Sequence, residues 1–376
     1  MSAGGRPVDA DVVLVAEQLR QGAPDGISTY TAELARRVAA MGDAAPRLVL
    51  WASRPPAGAD DPVARLGPMA TSPLPHRLMV RAWDVGLAGP QVGAAVVHSP
   101  SLLTPPARGA SLTTMVHDLA WRRFPDTFPA WGRRWHEAAL RRALSRSAVL
   151  MAPSTASATD LLVAGAEVKR IEVVEHGCDH LAGPDPEGAS ALLRRIGVDG
   201  PYLLSVSTLE PRKNLARLVE AYAAARPRLP EPWPLVLAGP AGWGPGLGTP
   251  PAGVVLAGAV AGGVLTALYQ QARAFAYVPL WEGFGLPAVE AMGCGVPVVA
   301  TPMPSTGDAA LEVSPDDVAA MADALVTACV DDDARRQLVA NGRARSGELT
   351  WGRSARRHVE LWKAVADGSD PRSRRR

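Results

Sequence analysis

Short apolar runs alternate with helix-spaced apolar positions along the whole chain. That pattern predicts a doubly wound α/β protein, whose parallel strands are buried on both faces. In the first half, Val12–Ala16, Leu48–Ala52, Ala94–His98, Leu112–Val116, Val149–Ala152 and Ile171–Val174 read as strands. Between the first two, Ile27, Tyr30, Leu34, Val38 and Met41 share one helical face, with Ser28 or Thr29 placed to start the helix and Gly42 to stop it. The pattern restarts at Tyr202–Ser207 and continues through Leu235–Ala238, Val254–Leu256, Ala274–Val278 and Val296–Thr301. Leu181 to Ser190 is polar and turn-rich, so the linker is expected there. The chain thus divides into a Rossmann-like domain over 1–183, a second over 190–350, and a segment 351–376. The last segment opens with a helix from Trp351 to about Asp367, after a helical pair near 316–346. Two such domains joined by a hinge bind a ligand in the cleft between them, at the carboxyl ends of strands. No internal repeat at solenoid spacing is present.

Composition narrows this picture. The 376 residues are 47 % hydrophobic, enough for two cores. No run approaches the ~20 uninterrupted apolar residues of a membrane span. Met1 to Asp11 lacks a basic segment followed by an apolar core, so no signal peptide is expected. Cys178, Cys294 and Cys329 show neither pairing nor metal spacing, and a reducing cytoplasm is the expected compartment. A net charge of +2 argues against a nucleic-acid partner. Arg133, Arg134, Arg141, Arg142 and Arg146 cluster on a predicted helix with Trp131 and Trp135 near its start. A solvated helix face explains this plainly; peripheral contact with anionic lipid at the inner membrane face is the alternative. The tail Arg372 to Arg376 is expected to be unstructured.

The chemistry concentrates in 281–299, where Glu282 and Glu290 flank an acidic, Gly-rich turn between a strand and a helix. Pro287 suits the first helical turn, and Gly293 and Gly295 end the helix. Free amides at such a helix start form an anion site, and two nearby carboxylates can read hydroxyls. An ordinary strand–loop–helix unit with a glutamate in its first turn has the same outline. In 205–215 a strand ends at Ser207, Arg212 and Lys213 follow, and Asn214 is placed to cap a helix with Leu215, Leu218, Val219 and Tyr222 inward. Two cations there make a diphosphate clamp or an exposed basic turn. In 113–121 a strand delivers His117 and Asp118 to its carboxyl end, and Asp118 is placed to fix the imidazole tautomer. Gly26, in the loop 21–30, permits close backbone approach by a phosphate or acceptor.

Taken together these strings resemble the GT-B glycosyltransferases of the family-4 type (glycosyl transferases group 1). The resemblance covers nearly the whole chain, through an E-x7-E motif at Glu282 and Glu290, a P-R-K-N loop at 211–214 and the His-Asp segment at 117–118. It implies two Rossmann-like domains facing across a cleft, with a C-terminal helix crossing back. It implies that Arg212, Lys213 and the amides of Phe284, Gly285 and Leu286 bind donor phosphates and sugar, that Glu290 holds the ribose, and that His117, Asp118 and Glu282 lie at the reaction centre. Three segments depart from the family pattern. Asp25 stands where the family has a glycine before Gly26, and a carboxylate there should turn away from a diphosphate or meet acceptor hydroxyls. Glu175-His176-Gly177-Cys178-Asp179 replaces P-N-G-V-D. The segment 303–308 is shorter and lacks a further glutamate, leaving that end of the pocket open or shaped by other residues.

The activity so implied is retaining transfer of a hexose from a nucleotide-diphosphate sugar to a glycan or lipid-linked hydroxyl, by front-face attack and without a metal. The 175–179 turn and Thr-Leu-Glu-Pro-Arg-Lys-Asn resemble mannosyltransferases building cell-surface polysaccharide, which favours mannose. A nucleotide-sugar epimerase, a sugar phosphorylase and an inactive donor-binding subunit remain alternatives. Asp9-Ala10-Asp11 spells a metal motif, but ahead of the first strand and so at its amino end. Gly242 to Gly246 contains Pro245 and leads to no helix, so it is no dinucleotide fingerprint. Cys178 has no partner base in sequence to make it a nucleophile.

Overall fold

The computed structural model describes residues 10–20, 25–55, 60–243 and 248–369. Gln21 to Pro24, Asp9, Gly244 to Gly246 and the tail Arg372 to Arg376 lie outside the described residues. The chain divides into two compact units. One holds the residues up to Arg123, Phe128–His176 and the chain from Trp351 onward; the other holds Phe124–Thr127 and Gly177–Thr350.

The first unit is a parallel sheet of β1 (Val12–Val15), β2 (Leu48–Ala52), β3 (Met69–Thr71), β4 (Val96–Ser99), β5 (Ser111–Met115), β6 (Ser147–Ala152) and β7 (Ile171–Val173). Their spatial order is β3-β2-β1-β4-β5-β6-β7. Val13 lies opposite Val49 on one side and Val97 on the other. The second unit is a parallel sheet of β8 (Leu203–Val206), β9 (Leu235–Ala238), β10 (Val254–Gly258), β11 (Ala274–Tyr277), β12 (Val298–Ala300) and β13 (Leu311–Glu312). Its order is β10-β9-β8-β11-β12-β13. Successive residues feed opposite faces: Phe275 and Tyr277 join one apolar cluster, Ala274 and Ala276 the other. Each unit is therefore a Rossmann-like α/β layer structure. In each, strand order reverses beside the first strand, at β1/β4 and at β8/β11.

Local chemistry adjusts several expected boundaries. The first long helix is Gly26–Ala39 and starts ahead of Ser28 and Thr29. Asp25 is its cap: its carboxylate accepts from the Ser28 backbone N–H at 2.7 Å. The uncapped amides at the helix start draw that carboxylate in. Within the segment expected to be linker, Asp185 caps a helix Pro186–Arg195, accepting from Gly188 N at 2.9 Å. The terminal helix, Trp351–Ala366, packs against Gly26–Ala39 within the first unit, burying Trp351, His358 and Trp362. Among the described residues no helix is long and apolar enough to cross a membrane.

Candidate active site

The β8/β11 switch point of the second unit carries the richest constellation. After β8 the chain makes a tight turn, Pro211–Lys213, and leaves it through Asn214 at φ 59°. A left-handed residue is not in the extended conformation of a capping residue, and Asn214 does not cap the helix Leu215–Ala225 through its side chain. Its Nδ2 instead donates to Val278 O at 3.0 Å and Pro315 O at 2.8 Å, fastening this loop to the end of β11. A second tie comes from Leu280 N, which donates to Arg212 O at 2.9 Å.

These ties bring Arg212, Lys213 and Glu282 together. Arg212 Nη1 donates to Glu282 Oε1 at 2.8 Å and to Trp281 O at 2.9 Å. Lys213 Nζ pairs with the same carboxylate oxygen and donates to the Tyr277 hydroxyl at 2.9 Å. Arg212 Nη2 donates to Glu210 Oε1 at 3.0 Å. The four charged side chains are only 5–13 % exposed. Burial alone would raise the Glu282 carboxyl, but Arg212 and Lys213 outweigh it and hold Glu282 down to about 2. For Glu210 burial wins over the same two cations, helped by the neighbouring Glu282, and its carboxyl is raised.

From Glu282 the loop runs through buried Phe284 and Gly285 into the helix Leu286–Gly293, with Pro287 in its first turn. Gly285 sits at φ 89°, and a Cβ there would collide with Met303 Sδ. Ser305, fully buried, donates to Phe284 O, and Arg345 Nε donates to Ser305 O at 2.9 Å. The short 303–308 segment thus shapes the loop from behind. Glu290 lies on the buried side of the helix. Its Oε1 is 3.1 Å from His180 Nε2, and its Oε2 accepts from the Tyr269 hydroxyl at 2.9 Å.

His117, Asp118 and Gly26 belong to the first unit. Asp118 does not hold the imidazole. Its carboxylate accepts from Ala120 N at 3.0 Å, because the short helix Ala120–Arg123 has free amides there. The His117 ring is fixed instead by Pro100 O, 2.9 Å from Nε2, and by His176 Nε2, 3.1 Å from Nδ1. Burial keeps the ring below the ordinary histidine value. Gly26 is the first residue of its helix, directly behind the Asp25 cap.

Glu210, His180, Tyr269 and Tyr277 join the site without a sequence signal of their own, although Glu210 directly precedes the 211–214 loop and His180 directly follows the 175–179 turn. Burial pushes the Cys178 thiol up to about 12, so it is no thiolate at neutral pH. Asp11 accepts from Arg47 N at 2.8 Å as a structural tie. Among the described residues, no three of His, Cys, Asp and Glu stand where they could hold one metal ion.

Comparison with known proteins bears on this arrangement. Residues 200–331 match the family model of glycosyl transferases group 1, and residues 24–180 match that of glycosyltransferase family 4. The O-antigen chain mannosyltransferase B of Escherichia coli is 29 % identical over 284 residues, 72 % of this chain and 74 % of that protein. Sucrose-phosphate synthase of Thermosynechococcus elongatus superposes with a TM-score of 0.71 at 19 % identity, over 95 % of this chain and 99 % of that one. The Anabaena protein HepE, in complex with UDP and glucose, gives 0.69 at 19 % identity, over 94 % and 99 % of the two chains. Two Rossmann-like sheets and these neighbours define the GT-B fold. Within that class the chain belongs to the family-4 type, the glycosyl transferases of group 1.

Proposed function

We propose that the chain is a retaining hexosyltransferase, moving mannose from a nucleotide-diphosphate sugar to a hydroxyl of a glycan or lipid-linked acceptor. The observation that carries this reading is the convergence of Arg212 and Lys213 on Glu282 at the switch point, one helix start away from Glu290. Cleavage of the anomeric C–O bond develops negative charge on the leaving diphosphate. Arg212, Lys213 and the amides of Phe284, Gly285 and Leu286 stabilise that charge, with no metal required. Glu282, released from the cations, meets sugar hydroxyls. The acceptor attacks from the face the diphosphate leaves, and a phosphate oxygen takes its proton. The mannosyltransferase relative supports the sugar, and HepE with its bound UDP supports the nucleotide.

Glu290 holds the ribose in this reading. A carboxylate has about four acceptor positions, and His180 and Tyr269 engage one oxygen each, which leaves capacity for two hydroxyls. A panel of nucleoside diphosphates and their sugars should raise the melting temperature, since a ligand at 100 times its Kd adds about 2.7 kcal/mol. Glu290→Ala should weaken free nucleotide at least about 10-fold, the worth of one lost charge-assisted hydrogen bond. Unchanged nucleotide affinity would remove Glu290 from the ribose, and a panel without any shift would remove the donor reading.

The helix Ala130–Arg146 supports a peripheral membrane contact: Trp131 is 75 % exposed at its start, ahead of the arginine cluster. Cosedimentation with anionic vesicles should fall when Trp131 is replaced by Ser. Equal binding to neutral vesicles, or none to anionic ones, would end this reading.

A further inference from the structure

The donor clamp is electrically balanced before any donor arrives. Arg212 and Lys213 bring two positive charges and Glu210 and Glu282 two negative ones, in side chains at most 13 % exposed. A nucleotide-sugar diphosphate adds two further negative charges. With both carboxylates ionised the occupied site would carry a net charge of about −2 where solvent screens poorly. Glu282 can turn toward the sugar, but Glu210 has no such exit. It is 7 % exposed, and its Oε1 is bonded to Arg212 Nη2 while Glu282 takes Nη1.

We propose that Glu210 takes up a proton from solvent when the diphosphate binds, and so couples donor affinity to pH. This rests on the donor-site reading above. The groups facing Glu210 are Arg212 and Lys213 on its own loop, Glu282 from the loop after β11, and Tyr277 from β11 itself. Before binding, the two cations oppose the effect of burial on Glu210. Once phosphate oxygens share those cations, burial and Glu282 are left to favour the neutral acid. A protonated Glu210 offers the phosphate an O–H donor in place of a repelling oxygen. The sign comes from linkage: binding consumes a proton, so affinity is highest at low pH and falls as pH rises through the carboxyl value of the occupied site.

The test is calorimetric titration of the full chain with GDP-mannose and UDP-glucose, whose diphosphate diesters do not titrate between about pH 5.5 and pH 8. Repeating each titration in two buffers of different ionisation enthalpy counts the protons. Wild type should take up a measurable fraction of one proton, with affinity falling by up to about tenfold per pH unit. Glu210→Gln should bind more tightly near neutral pH, lose the uptake and flatten the pH dependence. Wild-type binding without proton uptake would overturn the proposal, even if Glu210→Gln fails to fold. So would uptake that survives in Glu210→Gln but disappears in Glu282→Gln. Absence of binding by either nucleotide sugar would overturn the donor reading itself, which is a separate outcome.

Discussion

Lys213→Ala is expected to lower turnover about 100-fold or more, the usual cost of removing one preorganised charge donor from a site where charge develops. The structure makes this the cleaner of the two clamp variants. Lys213 Nζ bonds to the Tyr277 hydroxyl and the Glu282 carboxylate, so its loss removes charge while leaving the loop backbone tied by Asn214 and Leu280. Arg212→Ala should cost at least as much in turnover. It also frees Trp281 O and Glu210, so part of its effect is structural. Lys213→Arg is not expected to restore the rate, because a planar fork does not fit where a compact ammonium sits between a phenol and a carboxylate. Steady-state kcat and kcat/KM for the donor decide the matter, with melting temperature as the control. Near-normal rates in both alanine variants would mean that these cations do not face the leaving diphosphate.

How much of the fold and site is legible depends on what each feature needs in sequence. Strands buried on both faces print themselves as apolar runs, and Leu235–Ala238 appears with its observed bounds. β3 and β13 print nothing, because they are sheet edges of three and two residues with no fully buried position. The helix at Gly26 begins earlier than its hydroxyls suggest, because a capping box normally shows a hydroxyl followed by an acid. Here the order is reversed, with Asp25 at the cap and Ser28 answering it. Asn214 has the residue type of a cap, whereas its backbone hand decides otherwise. Arg212, Lys213 and Glu282 are within reach because each comes soon after a strand, and parallel strands deliver their trailing loops to one edge of the sheet. His180 and Tyr269 are not: each acts through Glu290, distant in sequence, and no spacing rule links either to it; Glu210 sits two residues before Arg212, but its burial against the guanidinium leaves no mark in the sequence. The histidines of the first unit show the same limit. His117 stands out alone in sequence, while its partner His176 lies 59 residues further on.

Those histidines carry a second large effect: acidification from about pH 6.5 to about pH 4.5 should loosen the terminal helix of the first unit. His358 Nδ1 is 2.8 Å from Ser354 O, which only accepts, so Nδ1 bears the hydrogen and Nε2 accepts from the Tyr30 hydroxyl at 2.7 Å. Tyr30 oxygen therefore accepts from His98 Nε2 at 2.8 Å, and His98 Nδ1 accepts from Thr113 Oγ1 at 2.9 Å. The bond from Tyr30 to His358 exists only while His358 is neutral, because a protonated Nε2 cannot accept. Burial lowers His98 and His176 well below the ordinary value and takes His358 to about 4. Because the folded values are depressed, the unfolded chain binds more protons below about 6.5, and stability is lost as pH falls from there toward the folded values. From His358 alone the full loss is about 3 kcal/mol once pH reaches its folded value. Glu282, held at about 2, gives up its contribution only below the carboxylate value of 4.5, and the raised Glu210 carboxyl acts with the opposite sign in the second unit, so loosening of the first unit above 4.5 is assigned to the histidines. Amide hydrogen exchange in the helix Trp351–Ala366, corrected for intrinsic rates, reads the opening free energy directly. It should fall steadily across the interval in wild type. In His358→Gln it should start lower, because Tyr30 loses its acceptor, and then fall less. A flat profile in wild type would mean that the cluster accepts protons without breaking its bonds, and the neutral chain drawn through Tyr30 would be wrong.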